Sequence, residues 1–113
     1  MTQVLIVERD PGLPDGARSH RHIGPFDGDD IPAGLLRRHD LKCDVWGILS
    51  VDIGSIRFCW DDERGGSFRV TEGFSVLIPP LVPHHLEREG PVTIRIEFCS
   101  DTSPRECLGT SLT

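Results

Sequence analysis

Gly73-Phe74-Ser75-Val76-Leu77-Ile78-Pro79-Pro80-Leu81-Val82-Pro83-His84 reads as a turn, a strand, a bend and a histidine. The glycine turns the chain. Residues 74–78 are a short apolar run of the length and type of a buried strand. Three prolines within 79–83 fix their own φ and push their predecessors to extended geometry, so this segment is a bend and not a helix. His84 then opens a further strand over 84–88.

Upstream, Val45, Gly47, Leu49, Val51 and Ile53 alternate with Trp46, Ile48, Ser50 and Asp52. This is period-two spacing with β-branched content, hence a strand. Ile56, Phe58 and Trp60 alternate with Ser55, Arg57 and Cys59, which predicts a second strand and a hairpin turning near 52–55. Phe68 and Val70 mark a short strand between turns at 61–66 and 72–73. Downstream, 89–91 reads as a turn. Residues 92–99 then form a last strand, with Val92, Ile94, Ile96 and Phe98 on its core face. At the other end, 4–7 reads as a strand, 10–16 as a turn and 21–23 as a weak segment. Pro32 introduces 33–39, which reads as a strand, with a short helix as the alternative. Eight or nine strands at this spacing predict an all-β sandwich or barrel.

The 113 residues suit one domain, 1–113, ending in a polar stretch over 101–113 that carries one helical turn near 104–108 or none. Twelve basic against 18 acidic residues give a net charge of -6, which argues against a nucleic-acid partner. No apolar run approaches the roughly 20 residues of a membrane span, and the N-terminus lacks a signal-peptide pattern. The expectation is a cytoplasmic protein with reduced thiols. No two of the four cysteines are close enough for a zinc ribbon, and Cys59 and Cys99 read as small buried hydrophobes.

Gly73, Pro79 six positions on and His84 five after that resemble the second motif of the cupin superfamily. Cupins often have Gly where this chain has Leu81, and Asn where it has Arg88. The first cupin motif is only partly present: Gly54 fits its terminal Gly, His39 stands near the expected His pair, and its Glu is Gly47 here. A narrower resemblance rests on residues 31–39, Val45-Trp46-Gly47, Ile78-Pro79-Pro80 with Pro83-His84, Gly90-Pro91-Val92 and Ile96-Glu97-Phe98. These blocks are similar to the tellurite-resistance-related small cupin family over about residues 20–99. Similar domains occur fused ahead of a tellurite methyltransferase. The resemblance implies a cupin-type double-stranded β-helix, that is, a jelly-roll β-barrel, and a homodimer.

Three functions follow as expectations. The first is a divalent metal (zinc, iron, nickel or manganese) bound in the barrel cavity by His39 and His84, with Glu97 as third ligand and open positions for a small-molecule ligand. Glu97 alternates with Ile96 and Phe98, so it either faces solvent or lines a polar pocket. The second is a metal-free pocket for a small anion or sugar, with Arg37 or Arg57 as the carboxylate fork. The third is a dimeric interaction module. His85 follows His84 directly and so faces the other side of the strand. His20-Arg21-His22 is a His-x-His in a polar segment and reads as a chance pair.

Overall fold

The computed structural model describes residues 3–101. Its strands are β1 (Val4–Ile6), β2 (Ala17–Asp27), β3 (Val45–Trp60), β4 (Ser67–Thr71), β5 (Phe74–Ile78) and β6 (His84–Asp101). Single 3-10 turns occupy Gly28–Asp30 and Ala33–Leu36. The fold is all-β. One sheet runs β1-β5-β3-β6-β2, with β4 also on β3, and it does not close on itself. The helical turn considered near 104–108 lies outside the described residues.

The centre is built differently from the expected hairpin. Residues 45–60 are one strand, antiparallel to β6 along its whole length. Gly54 is not a turn but a bend, with φ +78°, and a Cβ there would collide with the Pro91 carbonyl. Glu89, Gly90 and Pro91 likewise form no turn. The register passes from Gly54↔Val92 to Ile56↔Arg88, so these three residues bulge opposite Ser55. Both strands deform together, and the ladder survives. Before the bend β3 pairs with β5, and after it with β4.

Two other segments depart from the sequence reading. Ala33–Leu36 is a 3-10 turn, opened by the Leu35 N–H on the Pro32 carbonyl at 2.9 Å, and not a strand. β2 extends well beyond 21–23. It lies at the sheet's edge, mostly exposed, so it lacks the apolar alternation that marks a half-buried strand.

Leu49, Val51, Ile56, Phe58, Val70, Val76 and Ile94 are fully enclosed. Ile96 joins them, but Phe98 is only half-buried and lines a cavity. Phe58 lies edge-on to Trp60 at 4.6 Å. The N-terminal segment clips onto this end of the core. The buried Arg9 donates to both Asp62 carboxylate oxygens (2.6 and 3.0 Å) and to the Gly65 carbonyl, and its guanidinium sits 4.6 Å from the Trp60 ring centre. The Arg9 hydrogen bond holds the Asp62 carboxyl down at about 2. Cys59 and Cys99 are buried free thiols, as expected; Cys43 is instead disulfide-bonded.

The proline segment delivers His84 as anticipated, with one strained residue. Leu81 has φ +64°, the left-handed region that disfavours a β-carbon, and its side chain is 53% exposed. Relieving this conformation outweighs the little burial lost. Leu81→Gly should therefore stabilise the fold by about 0.5–1 kcal/mol in urea unfolding. A loss of stability would show that Leu81 packs where its exposure says it does not.

Candidate metal centre

His39 and His84 meet across an isolated antiparallel bridge. The His39 N–H donates to the His84 carbonyl at 3.0 Å, and the reverse bond is 2.9 Å. Directly opposed residues share a face, and the two ring centres are 4.2 Å apart at 61°. Each ring is fixed in the same way. His39 Nδ1 lies 2.9 Å from the Arg37 carbonyl, and His84 Nδ1 lies 2.8 Å from the Val82 carbonyl. A carbonyl can only accept, so both Nδ1 atoms donate. In a neutral ring the lone pair is then on Nε2.

His84 is buried, at 2% exposure, stacked on Phe58 at 5.5 Å and edge-on to Trp60. Burial pushes its pKa down to about 4, against the opposing pull of the Val82 carbonyl. His84 is therefore neutral at pH 7. A cavity of about 110 Å³ adjoins the pair, walled by Leu35, Leu41, Gly47, Ile78, Ile96 and Phe98. Gly47, which has no side chain to donate, stands on the cavity wall, so it adds no ligand to the pair.

The other candidates lie elsewhere. Glu97 is not brought to the histidine pair. Ile96 and Phe98 take the cavity side of β6, and Glu97 sits 3.8 Å from His22 Nε2. Arg57 is not an open fork: its Nε donates to Glu89 at 2.7 Å, and Arg69 grips the other oxygen of the same carboxylate. Arg37 is exposed and supplies the backbone carbonyl that orients His39. His20 and Arg21 line a separate cleft of about 430 Å³ with Asp40 and Lys42.

Sequence reasoning missed one cluster. Cys59, His85 and Glu87 lie on the outer face of the β3–β6 pair, with one sulfur, one nitrogen and one oxygen all within 4.8 Å of one another. His85 hydrogen-bonds Asp61 through Nδ1 (2.7 Å) and Glu87 through Nε2 (3.0 Å). The Asp61 bond and then the Glu87 bond raise its pKa. Burial, with Glu87 and Asp61 nearby, pushes the Cys59 thiol up to about 11. Only the strand register, which no local pattern reveals, assembles these residues.

The TehB-like domain family matches residues 21–96. The chain belongs to the TehB-like domain family. This bears out the resemblance to tellurite-resistance-related proteins. The fold resembles a crystal structure of a protein from E. coli K12, with TM-score 0.73 and 21% identity, covering 83% of this chain and all of that one. It also resembles TehB from Haemophilus influenzae, with TM-score 0.71 and 20% identity, covering 77% of this chain and 32% of that one. This chain thus spans about a third of TehB. At these identities the likeness concerns fold alone. No curated protein sequence matches significantly.

The buried ring of this TehB-like domain predicts an acid sensitivity in metal-free protein. Unfolded, His84 takes a proton near its ordinary value of 6.5; folded, only near 4. Its contribution to stability is whole above about pH 6.5 and is lost as pH falls to about 4, on the order of 3 kcal/mol in all. Urea unfolding at pH 7 and pH 4.5 should show a larger acid loss for the natural protein than for His84→Gln. Equal losses would contradict a ring buried in its neutral form.

Proposed function

We propose that this chain is a small cupin-type metal-binding domain that holds a divalent ion through the Nε2 atoms of His39 and His84. The carrying observation is the matched pair of Nδ1-to-carbonyl bonds, which aims both Nε2 atoms away from their backbone anchors. Metal-bound histidines characteristically donate their other ring nitrogen in this way.

The same geometry favours a cation over an anion. With Nδ1 committed and the ring neutral, His84 Nε2 can only accept. An anion would face a lone pair and apolar walls; of the two candidate cationic forks, Arg57 is already occupied by Glu89, and Arg37 is exposed and not among the residues lining the cavity. Without Glu97 the donors are imidazoles alone, which suit zinc, iron or nickel better than manganese. Two protein ligands leave coordination positions open. A cavity of about 110 Å³ has room for a few molecules the size of water. A small ligand taking those positions is the natural partner of such a site. A role for it in tellurite-resistance chemistry is supported by the family alone. The Gly73, Pro79 and His84 pattern, and the convergence of His39 with His84, support a cupin-type jelly roll.

Equilibrium dialysis of untagged protein against zinc or nickel, read by elemental mass spectrometry, tests this. His39→Gln and His84→Gln should each remove one equivalent of bound metal. Metal content unchanged in both folded variants would overturn the proposal.

A further inference from the structure

We infer that the outer face of the β3–β6 pair carries a second metal site of zinc type, with Cys59 Sγ, His85 Nε2 and a Glu87 carboxylate oxygen as ligands. Asp61 orients the ring. This site shares no residue with the His39–His84 pocket and rests on different observations. His84 and His85 are successive strand residues, so their side chains take opposite faces.

The register builds it. Cys59 is paired with His85, and Glu87 follows two residues along on the same face as His85. The three ligand atoms lie within 4.8 Å of one another. Zinc bonds of about 2.3 Å to sulfur and about 2.0–2.2 Å to nitrogen and oxygen require ligand separations of roughly 3.3–3.7 Å in a tetrahedron, so adjusting to an ion takes at most about an ångström of side-chain movement. The orienting bond is already made. Asp61 Oδ2 accepts from His85 Nδ1 at 2.7 Å, and it is a carboxylate, the partner that fixes tautomer and raises ligand basicity in many zinc centres. Glu87 meets Nε2 at 3.0 Å, on the side from which an ion would bind.

Charge and softness agree. A thiolate and a carboxylate neutralise a divalent ion, and the Asp61 charge balances the polarised imidazole. On binding, the Cys59 thiol proton and any proton on Nε2 leave to solvent. One sulfur, one nitrogen and one oxygen select zinc or cobalt over magnesium, calcium or manganese. The Glu87 side chain is 54% exposed, which gives an ion entry and leaves the fourth position to water.

Cobalt(II) alone, added to the full untagged chain, is the probe. Binding should bring a thiolate-to-cobalt charge-transfer absorption that zinc abolishes by displacement. Cys59→Ser should lose that band, while His39→Gln and His84→Gln should keep it. Glu87→Gln, at an exposed position, should weaken cobalt binding at least tenfold and serves if Cys59→Ser does not fold. Absence of the band in the natural protein, its persistence in folded Cys59→Ser, or unchanged affinity in Glu87→Gln would each overturn the inference.

Discussion

The antiparallel pairing of β3 with β6 is the constraint on which the rest of the molecule depends. It runs from Val45 opposite Ser100 to Trp60 opposite His84. Period two then sorts every side chain of its distal half. Ile56, Phe58, Trp60, His84 and Leu86 turn inward and are buried. Arg57, Cys59, His85 and Glu87 turn outward. A one-residue slip would exchange the two sets and put charged residues into the core, so register is specified by the cost of burying them.

This ladder sets His84 within a wall of aromatic rings, and a second pairing sets His39 beside it. The bridge between the two histidines exists because the three-proline segment brings the chain back against residues 39–41. There the Leu81 N–H also donates to the Leu41 carbonyl at 2.9 Å. The left-handed backbone at Leu81 is the strain that accompanies this close return. Backbone geometry, not side-chain attraction, therefore brings the rings together. The apolar cavity beside them lowers the local dielectric and keeps His84 unprotonated.

Much of this was legible in the residues. The proline bend and the position of His84 follow from local stereochemistry. The inward face of β6 follows from alternation, through Ile94 and Ile96. Three things were not legible. Gly54 and Gly90-Pro91 carry turn chemistry, but matched irregularities on paired strands bend a ladder without ending it. Glu97 could point either way until its neighbours were known, and β6 gives it the side away from the pocket. Cys59, His85 and Glu87 look unrelated in sequence, because a register pairing links residues 26 apart with no local pattern.

The central claim is that His39 and His84 turn their Nε2 atoms toward one small cavity. Long-range proton–nitrogen correlation NMR of the imidazole rings reads this directly. In metal-free protein at pH 7, the account predicts His84 as a neutral ring protonated at Nδ1, with the Nε2 resonances of both histidines shifting when zinc is added. A His84 ring protonated at Nε2, or Nε2 resonances of both rings unmoved by saturating zinc, would contradict it.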